Sequence, residues 1–138
     1  MIMLKKFILF VGLILALSPF VLFPVCNDTR PDGNFMGCFY SGVFITLMGV
    51  FIILFALFAI LEKFATLCVI FSGICAVLCW LVPNGIIKIS GSKWACGLCA
   101  NPEHSCRALT LPAVGIIALL IIISCIVDIT VKFISGKK

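Results

Sequence analysis

The stretch VFITLMGVFIILFALFAILEKFATLCVIFSGICAVLCWLVP, residues 43–83, decides the fold. It holds two apolar runs, 43–61 and 64–83, and only the charged pair Glu62-Lys63 separates them. Each run is about 20 residues, the length a helix rising 1.5 Å per residue needs to cross a hydrocarbon core of about 30 Å. Inside lipid the backbone must satisfy its own polar groups, so such runs form helices. Neither run alternates with period 2, which argues against a membrane barrel. A link this short forces the two helices to be antiparallel neighbours.

Working outward, two more runs of the same kind appear, at 7–25 and 111–133. Together the four explain a chain of 138 residues that is 64% hydrophobic and 11% charged, a balance no soluble domain of this size carries. Lys5-Lys6 ahead of the first run, with Ala16-Leu17-Ser18 inside it, resembles a signal peptide. Pro19 follows directly, however, and apolar residues continue to Val25, so this run reads as a retained span. The expected architecture is all-α: one membrane domain over residues 1–138, a bundle of four transmembrane helices with loops at 26–42 and 84–110.

Lysine and arginine in the flanks set the orientation. With both termini cytoplasmic, Lys5, Lys6, Lys63, Lys132, Lys137 and Lys138 lie inside, against Arg30, Lys88, Lys93 and Arg107 outside. Cysteine usage agrees, because Cys26, Cys38, Cys96, Cys99 and Cys106 then all fall in exported loops where disulfides persist. Trp80, Trp94 and Tyr40 suit an outer aromatic belt. The net charge of +5 comes from scattered flanking residues, so nucleic acid is not an expected partner.

The chain reads as two helical hairpins with faint internal similarity. Phe10-Val11-Gly12-Leu13 returns as Phe71-Ser72-Gly73-Ile74, and Met36-Gly37-Cys38 is echoed by His104-Ser105-Cys106. The first loop carries the turn signal Pro31-Asp32-Gly33-Asn34, and 86–90 has the character of a short strand. Within the spans, Asp128 is the only acid, and Lys132 four residues on lies on the same face, which predicts a local ion pair. With no ionisable group at mid-span, a proton-coupled pump or charged-substrate carrier is disfavoured.

Small residues recur at helical spacing and predict close helix contacts. Gly12 and Ala16 mark the first span, and Gly42, Gly49 and Ala56 the second. Cys68, Ser72, Cys75 and Cys79 mark the third, and Gly115, Ala118 and Cys125 the fourth. The membrane cysteines are read here as small packing residues.

Chemistry concentrates in the loop cysteines. Structural disulfides are expected, Cys26 with Cys38 and Cys106 with Cys99, or with Cys96 as the alternative partner. Five exported cysteines leave one over, so a loop-to-loop bond, an intermolecular bond or an unbridged thiol stays open. A redox alternative starts from Cys96-Gly97-Leu98-Cys99, a CxxC able to exchange with Cys106 while Cys26 and Cys38 relay. Four spans with a CxxC and a second exported pair resemble the disulfide-bond-forming B proteins and the vitamin K epoxide reductases, which implies a quinone as electron acceptor. Here the CxxC lies in the second loop, away from any evident helix start, which departs from their order. A second alternative is a soft metal held by Met36, Cys38, His104 and Cys106. No phosphate-binding loop, Ser–His–Asp set or carboxylate pair is present, so a catalytic role is not favoured and no cofactor is required.

Pro24-Val25-Cys26, Met36-Gly37-Cys38, Val82-Pro83-Asn84 and the segment Cys106-Arg107-Ala108-Leu109-Thr110-Leu111-Pro112 occur here in that order. This succession resembles the small bacterial four-span proteins grouped as domain of unknown function 4418. The resemblance implies the four-span fold, paired loop cysteines and a bacterial cytoplasmic membrane. It also implies a neighbourhood with permeases of ABC-type exporters. The expected role is therefore a non-catalytic accessory subunit, held in the bilayer and contacting a membrane-protein partner or another copy of itself. A small transporter or channel ranks third, after the thiol oxidoreductase.

Overall fold

The computed structural model describes residues 2–26, 29–61, 64–92, 94–97, 103 and 106–137. Helix α1 spans Ile2–Leu17, α2 Gly37–Ile60, α3 Ala65–Leu81 and α4 Leu111–Ser135. Each packs on the next, and α4 closes back onto α1, so the four form an up-down ring. Three continuous helical stretches, Ile2–Leu22, Gly37–Ile60 and Cys106–Ser135, are long and apolar enough to cross a membrane; Ala65–Leu81 is shorter and equally apolar in kind. The chain is a membrane protein by this measure. The loops joining α1 to α2 and α3 to α4 meet at one end, here the cysteine end. The α2–α3 link and the two chain ends lie at the other, the lysine end.

Two helices run further than hydropathy alone predicts. Helix α2 begins at Gly37, within the expected loop, and α1 takes in Lys5 and Lys6. Lys5 is buried, and its Nζ donates to the Ala59 carbonyl at 2.9 Å, capping the last turn of α2. The strand expected at 86–90 reduces to a single bridge, Ser90 with Ala95, and no strand occurs among the described residues.

The core is a narrow column that includes Ile8, Leu15, Ile52, Ala76, Ala118 and Ile121. Large apolar side chains such as Phe10, Leu47, Phe58, Ile116 and Ile126 point outward, as a lipid-facing surface requires. Because the helices are apolar all round, the small residues decide which faces meet. At the α1–α2 crossing, a Cβ on Gly49 would lie 2.7 Å from both the Cα and N of Ala16. Thr46 Oγ1 donates to the Ala16 carbonyl at 3.2 Å across the same crossing. On α3 the buried stripe is Ala65, Val69, Ser72, Ala76 and Cys79, while Cys68 and Cys75 are only half-buried. The cysteine-rich stripe read from spacing is therefore rotated toward its neighbouring alanines.

The expected Asp128–Lys132 pair does not form. Lys132 Nζ donates to Thr66 Oγ1 on α3, while Asp128 lines a cavity beside Met3 and Leu4 of α1. Spacing of four places two side chains on one face but does not stop a long lysine stem from turning to a neighbouring helix.

The α2–α3 link turns on Phe64, whose φ of 55° and ψ of 34° are left-handed. An L side chain in that region costs about 1 kcal/mol, which glycine avoids. Phe64 is 81% exposed and contributes little packing within the chain. Phe64→Gly is expected to raise the unfolding free energy in detergent by about 1 kcal/mol. A loss of stability in that measurement would show that the ring is anchoring the turn.

A three-cysteine centre as candidate functional site

Prolines shape the cysteine end. Pro19 has no N–H for the Leu15 carbonyl, and the Ser18 hydroxyl takes that role at 2.8 Å. The chain then widens into a π-helical turn, Ser18–Leu22, closed by Phe23 N–H to the Ser18 carbonyl at 2.8 Å. A second π-helical turn, Cys106–Thr110, leads into α4, where Pro112 sits in the first turn. Thr110 Oγ1 donates to the Phe23 carbonyl at 3.1 Å and ties the two turns together.

That tie brings cysteines from both loops to one place. Cys26 Sγ and Cys106 Sγ are 3.3 Å apart, and Cys38 Sγ lies 3.9 Å from the Cys26 carbonyl oxygen. All three sulfurs fall within 4.8 Å of one another. Cys38 and Cys106 are buried, Cys26 is half-buried, and Val25, Met36 and Phe39 pack around them. No two sulfurs among the described residues are at the bonding distance of about 2.05 Å.

The second loop covers this cluster through one serine. Ser41 Oγ accepts from Gly97 N–H at 2.9 Å and donates to the Gly97 carbonyl at 3.2 Å. Gly37 has no room for a side chain here, since a Cβ would meet the Ala95 carbonyl oxygen at 2.9 Å. Beneath the loop, Cys38, Ser41, Gly97, Cys106 and Thr110 border a cavity of about 20 Å³, room for about one water or one ion. Cys38 occupies the first turn of α2, and Cys106 opens the turn into α4. Helix N-termini carry partial positive charge, which favours a negatively charged ligand set at this position.

Of the residues expected to matter, Met36, Cys38 and Cys106 come together, and Cys26 joins them. Cys99 and His104 lie outside the described residues. Cys96 is half-buried with its N–H bonded to the Ile89 carbonyl at 2.8 Å, and burial pushes its thiol pKa up. Between the helices, Ser72 and Ser124 donate back to carbonyls of their own helices.

The family described as "Domain of unknown function (DUF4418)" matches residues 8–131, which takes in α2, α3, most of α1 and α4, and the three-cysteine centre. Neither a curated protein nor a solved structure matches the chain. The chain belongs to the DUF4418 family.

Proposed function

We propose that this protein is a non-catalytic membrane subunit whose outer mouth holds one thiophilic d10 metal ion, Cu(I), on Cys26, Cys38 and Cys106. The observation that carries this reading is the convergence of three sulfurs, from both loops, within 4.8 Å. A metal–sulfur distance of about 2.3 Å places three ligand sulfurs roughly 3.8–4.0 Å apart. The spread here, from 3.3 Å between Cys26 and Cys106 to a limit of 4.8 Å, brackets that value. Soft sulfur donors select Cu(I) or Zn. Three sulfurs with the Met36 thioether beside them suit Cu(I), whereas Zn(II) takes a fourth donor to complete a tetrahedron.

A thiol-exchange reading has one observation in its favour, the docking of the CxxC segment over Cys38 through Ser41 and Gly97. Against Cys96 as its nucleophile, burial pushes that thiol's pKa up, whereas an attacking thiol needs it depressed; Cys99 lies outside the described residues.

Anaerobic titration of reduced, purified protein with Cu(I) against a chromogenic chelator tests the reading. One Cu(I) per chain is expected, with Zn(II) unable to displace it. Binding no tighter than empty detergent micelles would remove the metal reading. Exchange of loop disulfides with a quinone, followed by alkylation and mass spectrometry, would install the redox reading in its place.

A further inference from the structure

A second site stands at the opposite end, independent of the cysteines. Asp128 on α4 is 2% exposed, and its Oδ1 has no hydrogen-bond partner among the described residues. The neighbouring hydroxyls solve their burial locally, Ser124 donating to the Leu120 carbonyl and Thr130 to the Ile126 carbonyl, each at 2.7 Å. Asp128 Oδ1 makes no such bond. Two lysines of the same end are engaged elsewhere, Lys5 with the Ala59 carbonyl and Lys132 with Thr66. Asp128 instead lines a cavity of about 240 Å³ with Met3, Leu4, Val127 and Val131. Met3, Val127 and Val131 are exposed there, so the acid sits within an apolar collar facing the bilayer.

We propose that this cavity between α1 and α4 is the docking site for a transmembrane helix of a partner subunit that carries a lysine or arginine. Charge complementarity names the occupant. The site offers a buried acceptor with no donor; a lipid tail supplies none, whereas an ammonium or guanidinium on an apolar helix supplies both donor and charge. Depth fits as well. Asp128 lies seven residues before the end of α4 at Ser135, about 10 Å along the axis, within reach of a basic side chain running its stem along apolar surface.

The probe is a polyleucine transmembrane peptide with one lysine about seven residues from its end, mixed with the labelled full chain in phosphatidylcholine vesicles. Energy transfer should report association at least about tenfold tighter than for the all-leucine peptide. Asp128→Asn should abolish the difference and Asp128→Glu should keep it. Asp128→Lys should reverse the preference toward a glutamate-bearing peptide, which a merely misfolded variant would not do. Equal association of lysine and leucine peptides overturns the proposal, as does a preference that survives in Asp128→Asn. Asp128-dependent association between labelled copies, undisturbed by the lysine peptide, also overturns it and assigns the cavity to a second copy. None of these outcomes depends on metal binding at the cysteine end.

Discussion

Replacing Cys38 or Cys106 with serine is expected to lower Cu(I) affinity by at least about 100-fold, with the helical content unchanged. Loss of an outer-shell partner costs a metal site about 10–100-fold, and loss of a direct ligand lies at or beyond the top of that range. Serine preserves size but exchanges a soft donor for a hard hydroxyl that stays protonated. Both side chains are buried against Val25, so neither substitution opens the cluster to water as a larger residue would. Cys26→Ser should behave alike, because its sulfur closes the set at 3.3 Å from that of Cys106. Chelator competition on each variant checks this. Cys75→Ser and Cys125→Ser serve as controls, since these sulfurs pack in the helical column away from the cluster. A loss shared equally by the controls would mean that the titration reports thiol content and no defined site.

The same ligands give the binding a pH dependence of known sign. Thiols must release protons to become ligands, so acidification should weaken Cu(I) binding and alkalinisation should strengthen it. At the lysine end, metal should change nothing. The two sites share no residue, so metal loading and lysine-peptide docking are expected to be additive unless the helices transmit a rearrangement between them.

The helical hairpin was legible in residues 43–83 because a two-residue link between bilayer-length runs admits one arrangement. Helix faces were less legible. Runs apolar on every side carry no hydrophobic stripe, and the contacts at Ala16 and Gly49 arise from backbone approach that only the packed pair reveals. Met36, Cys38 and Cys106 were readable as soft donors by residue type. Their meeting with Cys26 depends on Thr110 reaching Phe23 and Ser41 reaching Gly97, contacts spanning 87 and 56 positions that no local spacing encodes. The four-residue step from Asp128 to Lys132 pointed the wrong way for a related reason. A flexible stem chose an interhelical hydroxyl over its own helix, leaving Asp128 Oδ1 with no hydrogen bond among the described residues.

Gly49→Leu is expected to destabilise the protein by about 3 kcal/mol, toward the upper end of what overpacking costs. The first added carbon alone would stand 2.7 Å from Ala16 Cα and N, and 2.8 Å from Ala16 Cβ. Those atoms are mostly backbone where α1 runs on into the π-helical turn, so they cannot swing aside as a side-chain tip would. Helix α1 must then move off α2, breaking the Thr46 bond to the Ala16 carbonyl and disturbing the path from Ser18 to Cys26. Cu(I) affinity should fall with it, although Gly49 lies well down α2 from Cys38. Gly73→Ala and Gly115→Ala are the matched controls. Their new Cβ atoms meet Cys125 at 3.7 Å and Trp80 at 3.5 Å, ordinary contact, and alanine favours a helix over glycine by about 1 kcal/mol. These two should be neutral or stabilising in thermal unfolding monitored by circular dichroism in detergent. If Gly49→Leu unfolded together with them, the α1–α2 crossing would not be the contact that holds the cysteine end in register.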